Sequence, residues 1–100
     1  MEERTMKPEN IAAMKERTVQ MMQRMLIRDR QLVYCYAYSL IVVGKHKGDP
    51  YFVKEPIPPS DVLHLRVRNL LQDATEKEAK YIFAWAMAKR QAEKRKPGEP

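Results

Sequence analysis

Hydrophobic residues recur with helical spacing over the first quarter of the chain. They are separated by Lys, Glu, Arg and Gln and comprise Ile11, Met14, Val19, Met22, Met25 and Leu26. This period places them on one face of an α-helix. Pro8 followed by Glu9 favours a helix start, because Pro suits the first turn and an acidic side chain complements the helix dipole there. The pattern therefore predicts an amphipathic helix from about residue 9.

The next apolar segment, Leu32–Val43, is hydrophobic on every side. Its Val, Tyr and Ile content by itself favours a strand. Both alternating faces are apolar, however, so a period of two has no support, and only Arg28–Arg30 could connect a helix to a strand. No Gly or Pro occurs from Glu9 to Val43. We therefore interpret the segment as a buried helix and keep a strand as the alternative.

A single helix over residues 9–43 would be about 50 Å long, whereas a compact domain of this size has a radius of gyration of ~13 Å. We expect a break near Asp29, which could cap a second helix. The other possibility is a long projecting helix that requires a partner. Gly44 is expected to cap the C-terminus of the buried helix, where Lys45 to Lys47 would complement the dipole.

Residues 44–59 form a long connection, because Gly-Asp-Pro at 48–50 is typical of a turn and the prolines at 56, 58 and 59 exclude a helix. Ser60 and Asp61 then indicate an N-cap for a helix over Val62–Leu71, although alternating Leu and basic residues there also suit a strand. Thr75 and Glu78 have the spacing of a capping box. The last helix is expected to bury one face, formed by Ala79, Ile82, Phe83, Ala86 and Met87.

A weak internal repeat suggests the overall arrangement. Tyr34–Leu40 resembles Tyr81–Met87 in the order of aromatic, Ala and aliphatic residues. If the repeat is real, two antiparallel helical hairpins form a four-helix domain. We predict one all-α domain of about four helices, with an α+β fold and a small sheet as the alternative. Its parts are a flexible N-terminus (1–8), a long or broken helix pair (9–43), the Pro-rich connection (44–59), a second helical pair (60–95) and a tail (96–100).

Composition limits the possible functions of this 100-residue chain. No apolar run reaches the roughly 20 residues of a membrane helix, and a lone Cys35 excludes an internal disulfide. We therefore expect a soluble, cytoplasmic protein that does not bind membranes. Two histidines, His46 and His64, and three glycines form no zinc spacing or phosphate-binding loop. The sequence thus predicts no enzyme activity, no catalytic residue, no cofactor, no metal and no small-molecule substrate.

The seven methionines suggest a protein-interaction function. Met side chains either fill a core or form an adaptable docking surface. The predicted partner-binding residues are Met14, Met21, Met22, Met25 and Leu26, together with aromatic faces. We expect this surface to mediate homo-oligomerisation, for instance as a homodimer, or docking on a protein partner in a regulatory role.

The net charge of +6 leaves nucleic acid as the alternative partner. An accessory nucleic-acid-binding protein would contact phosphates through basic residues of the loop, the third element and the tail, largely without sequence readout. The candidate residues are Lys45, Lys47, Arg66, Arg68, Lys89, Arg90, Lys94, Arg95 and Lys96. Tyr51 and Phe52, next to Lys47 and Lys54, could stack on bases if they are exposed.

Overall fold

The computed structural model describes residues 7–95, and this part of the chain contains helices but no strand. The helices are α1 (Pro8–Gln23), α2 (Ile27–Tyr38), α3 (Leu63–Gln72) and α4 (Glu76–Arg95). The all-α prediction is confirmed. Residues 1–6 and 96–100, and with them most of the predicted flexible N-terminus and the whole of the predicted tail, lie outside the described residues.

The predicted break near Asp29 is confirmed, but Asp29 does not cap the second helix. α1 ends at Gln23 and α2 begins at Ile27, so the turn precedes Asp29. Asp29 lies buried in the first turn of α2, and the N-cap residue Leu26 makes no side-chain capping bond. Asp29 is therefore not the cap. α1 has only 16 residues, so residues 9–43 do not form one long helix that projects from the domain and requires a partner.

Two ionisable side chains hold this turn, Arg30 from α2 and Glu93 from α4. Arg30 donates from Nε to the Met25 carbonyl at 3.2 Å and from Nη2 to the Gln23 carbonyl at 3.1 Å. Glu93 on α4 accepts the Leu26 N–H through Oε2 at 2.9 Å. Backbone groups that the ends of α1 and α2 leave unpaired are thus satisfied by these two residues.

The buried-helix interpretation of Leu32–Val43 is confirmed, with a change in helical type. After Tyr38 the helix continues as a π-helical segment, Ser39–Val43. Gly44 is the C-cap residue of this segment, as predicted, but its φ of −59° is right-handed helical rather than left-handed. Gly48, with φ +87°, instead makes the left-handed turn, which glycine adopts without steric strain.

The segment before α4 is a helix rather than a strand. A 3₁₀ turn, Ser60–Val62, leads into α3, and neither element has a side-chain capping bond. The predicted Ser60–Asp61 cap is therefore wrong. The α3 positions Leu63, Val67 and Leu71 are buried, as expected for apolar residues separated by one helical turn.

The capping box at the start of α4 is confirmed. The Thr75 Oγ1 accepts the Glu78 N–H at 3.1 Å, and the Glu78 Oε1 accepts the Thr75 N–H at 2.9 Å. The predicted inward face is also confirmed: Ala79, Ile82 and Ala86 are buried, and Phe83 and Met87 are half-buried.

The helices form one core, but consecutive helices are not closely packed antiparallel hairpins. The most extensive contacts join α1 to α4, α2 to α3 and α1 to α3, whereas α1 contacts α2 much less. The repeat positions also differ in environment: Tyr34 and Ala37 are buried, but their counterparts Tyr81 and Ala84 are exposed. The two helix pairs therefore pack across each other and are not structurally equivalent.

Candidate interaction surfaces

The methionines predicted to bind a partner lie mostly in the core. Met14, Met22 and Met25 are buried, and Met22 has no exposed area. Met21 is half-buried and Leu26 is 55% exposed. The helical spacing identified the apolar face of α1 correctly, but α3 and α4 cover most of it. Of these five predicted residues, Met21 and Leu26 are the two that a partner could contact.

A different apolar surface is exposed where α2 lies against α4. We call it the α2–α4 aromatic face and define it by Leu26, Leu32, Tyr36, Tyr81 and Trp85. Trp85 stacks on the half-buried Tyr36 ring, with centroids 5.0 Å apart. Tyr81, one turn before Trp85, is 48% exposed, and Leu32 is 41% exposed. Surfaces of clustered, exposed apolar side chains are typical of interaction sites.

One end of this face contains a cavity of about 290 Å³. Leu26, Leu32 and Ala92 supply its apolar lining, and Arg28 and Lys89 supply its cations. The Lys89 Nζ lies 4.8 Å from the Trp85 ring centroid, a cation–π contact that connects the cavity to the aromatic rings. The cavity can accept an apolar side chain beside an acidic group.

A pair of carboxyl groups also lines this cavity. Glu93 forms a side-chain hydrogen bond with the buried Asp29, and burial together with this bond raises the pKa of Glu93. The other contacts of Glu93 are the Leu26 N–H and Arg90, whose Nη1 lies 3.2 Å from Oε1. The pair is therefore engaged within the protein and joins the α1–α2 turn to α4.

A basic groove lies between α1 and α4. The groove has a volume of about 310 Å³. It is lined by side chains of both helices: Arg17, Gln20, Met21, Arg24, Met87, Arg90, Gln91 and Lys94. Arg90 and Lys94 were predicted as phosphate contacts, whereas Arg17 and Arg24 were not. No acidic residue lines the groove within the described part of the chain.

The basic groove and the aromatic face occupy opposite flanks of α4. With 3.6 residues per turn, Trp85 and Lys94 project in opposite directions, and the buried Ile82 and Ala86 lie between the two flanks. The two surfaces can therefore act independently, and variants of one should leave the other intact.

The remaining predicted cations are dispersed. Lys45 and Lys47 are exposed in the connection, and Arg66 lines a separate cavity of about 200 Å³ with Tyr34 and Tyr38. Arg68 is paired with Glu16 at 2.6 Å. The backbone of Arg95 closes α4, and Lys96 lies outside the described residues. The seven predicted cations whose side chains the structure describes do not form one surface.

The proposed stacking aromatics are only partly exposed. Tyr51 is 89% exposed, but Phe52 is half-buried and stacks on His46, with ring centroids 4.4 Å apart. His46 Nδ1 also lies 3.8 Å from the Asp49 carboxylate. Phe52, one of the two rings predicted to stack on bases, therefore packs within the connection instead.

Two further side chains with reactive groups, Cys35 and His64, are each only partly exposed. Cys35 is half-buried against the core, and the Nδ1 of His64 is buried without a hydrogen-bond partner among the described residues. No group of three or more His, Cys, Asp or Glu side chains in residues 7–95 is arranged to hold a metal ion. Within the same range, no helix combines the length and hydrophobicity needed to cross a bilayer.

The chain matches no known family model, curated protein or solved structure.

Two sets of residues on these surfaces were missed by the sequence analysis. Arg17 and Arg24 flank Gln20 and Met21 with the spacing i, i+3, i+4, i+7, so their common face was visible in the sequence. The stacking of Tyr36 on Trp85 joins residues 49 positions apart and had no local signal.

Proposed function

We propose that the protein is a small helical interaction module that docks on another protein through the α2–α4 aromatic face. The observation that carries this proposal is the continuity of the surface. Leu26 and Leu32 line the cavity, Lys89 connects it to Trp85, and Trp85 stacks on Tyr36. Aromatic residues are enriched at protein interfaces because they supply a large contact area.

The charges around the face favour a different protein over a second copy of the chain. In a two-fold dimer the same patch is used by both copies. Arg28 and Lys89 of each copy would then enter one interface, where like charges oppose association. A partner segment with an apolar side chain and neighbouring acidic residues would instead complement the cavity and its cations.

A photo-crosslinking amino acid at position 81 tests this proposal, and the same substitution at position 65 provides the control. Tyr81 and Leu65 have similar exposure, 48% and 44%, but Leu65 lies on α3 away from the face. In cells that contain the natural partner, position 81 should form a discrete adduct and position 65 should not. Adding Trp85→Ser should weaken the position-81 adduct, because the aromatic surface is lost.

Three results would contradict the proposal. Equal adducts from both positions would show contact without a specific surface, and no adduct from position 81 would show that the face is not occupied. An adduct with twice the mass of the chain would show self-association. Sedimentation velocity gives an independent measurement, and we expect a monomer.

A further inference from the structure

The basic groove between α1 and α4 presents four cationic side chains in two matched rows. Arg17, Gln20, Met21 and Arg24 follow one another on α1 with the spacing i, i+3, i+4, i+7, and Met87, Arg90, Gln91 and Lys94 do so on α4. This spacing keeps each row on one helix face over two turns, a length of ~10.5 Å. The groove is therefore a short channel with cations on both sides.

These cations are largely available to an external anion. Arg24 and Lys94 are exposed and pair with no carboxylate among the described residues. The Arg17 guanidinium lies 5.5 Å from the Phe83 ring centroid, which orients it without neutralising it. Of the four cations, Arg90 alone is paired with a carboxylate of residues 7–95, that of Glu93. The positive charge of the groove is thus local and does not merely reflect the net charge of the chain.

The rest of the groove suits a nucleotide chain better than an isolated anion. Half-buried Met21 and Met87 provide apolar contact, and the amides of Gln20 and Gln91 provide donors and acceptors. A stacked strand carries one phosphate per about 3.4 Å, so a row of ~10.5 Å spans about three such intervals and therefore about four phosphates. A duplex presents its phosphates on a convex surface and would contact only the groove rim. A single strand can lie along the groove that the two helices form.

We infer that the groove formed by Arg17, Arg24, Arg90 and Lys94 binds the phosphate backbone of single-stranded nucleic acid. The contacts do not read base edges, so binding is largely independent of sequence. Because the groove lies opposite the aromatic face on α4, this activity is separate from docking on a protein partner. The protein can hold a nucleic-acid strand on one flank and a protein on the other.

Fluorescence anisotropy with labelled 12-nucleotide oligo(dT) and oligo(rU), measured at several salt concentrations, tests the inference. Four phosphate contacts on a single strand correspond to a slope of log K against log salt of about −2.8, a roughly 50-fold loss of affinity from 50 to 200 mM salt. The variant Arg24→Gln/Lys94→Gln removes two groove cations and should reduce the slope to about −1.4. The control Lys45→Gln/Lys47→Gln removes the same charge from the connection and should leave the slope near the wild-type value.

Four results would overturn the inference. The first is absence of binding at 50 mM salt, and the second is an equal loss of slope in the two double variants, which would show dependence on net charge alone. The third is tighter binding of a 12-base-pair duplex, and the fourth is equal binding of polyglutamate, which would identify an acidic-protein site. Circular dichroism of both variants should show wild-type helicity, since all four substituted side chains are exposed.

Discussion

Glu93 is the residue through which the two flanks of α4 are joined. Its Oε2 accepts the Leu26 N–H beside the aromatic face, and its Oε1 contacts Arg90 in the basic groove. Burial raises the pKa of Glu93, the hydrogen bond with Asp29 raises it further, and the contacts with Leu26 and Arg90 act in the opposite direction. One carboxyl group thus stabilises the α1–α2 turn and also reduces the charge available in the groove.

The raised pKa predicts that stability falls as the pH rises through the titration of Glu93. The folded protein holds the proton more tightly than the unfolded chain, where the pKa is near 4.5. The contribution of this group to stability is therefore present below about 4.5 and is lost as the pH passes the folded-state pKa. Glu93→Gln should remove this part of the pH dependence, because an amide can still accept the Leu26 N–H and donate to Asp29.

Urea unfolding from pH 4 to pH 8 measures this effect. The matched control is Glu55→Gln, which alters an exposed carboxylate in the connection. Identical pH dependence of unfolding in the wild type and in Glu93→Gln would show that the Asp29–Glu93 pair does not control stability in this range.

At the scale of single residues, hydrophobic periodicity showed which side chains share a helix face. It did not show whether that face is buried in the core or exposed to solvent. The helical spacing of Met14, Met22 and Met25 suits a core and a docking surface equally. The choice depends on whether another helix covers that face, and α3 and α4 do so. Leu26, from the same apolar pattern, is 55% exposed, although Met25 beside it in the turn after α1 is buried.

Some helix ends are stabilised by residues that are close in sequence, and others by residues that are distant in sequence. The Thr75–Glu78 capping box spans four residues, so its two hydrogen bonds were predictable from spacing alone. The α1–α2 turn has no such motif. Its backbone groups are satisfied by Arg30 and by Glu93, which lies 67 positions from Leu26.

Replacing the α4 cap should therefore have a local and measurable cost. Thr75→Ala removes the acceptor for the Glu78 N–H and should lower the free energy of unfolding by about 1 kcal/mol in urea titration. Lys77→Ala, also exposed and in the first turn, is the control and should change stability much less. A similar loss in both variants would indicate that the Thr75 cap contributes nothing specific.

At the scale of the whole molecule, each helix pair depends on the other for its core. α1 packs chiefly on α4 and α3, and α2 on α3, so the contacts between the pairs exceed those within the first pair. Short helices in isolation are marginal in water. Neither pair by itself buries the apolar faces that Met22, Val33, Leu63 and Ile82 provide.

Dividing the chain in the exposed connection tests this dependence. The fragments 1–49 and 50–100 should each have low helicity by circular dichroism, and mixing them at equal concentration should restore much of the helical signal. The intact chain, in which the two fragments are covalently joined, is the reference. Full helicity of fragment 1–49 alone would show that the first pair folds independently.

Sequence alone determined the properties that depend on neighbours within one or two helical turns. These include about four helices, an interruption near Asp29, the inward face of α4 and the Thr75–Glu78 cap. Which apolar faces are covered follows from the packing of the helices, since burial depends on helices distant in sequence. This packing therefore placed three of the predicted docking methionines in the core and brought Tyr36 to Trp85. It also brought two separate basic rows, one on α1 and one on α4, into a single groove.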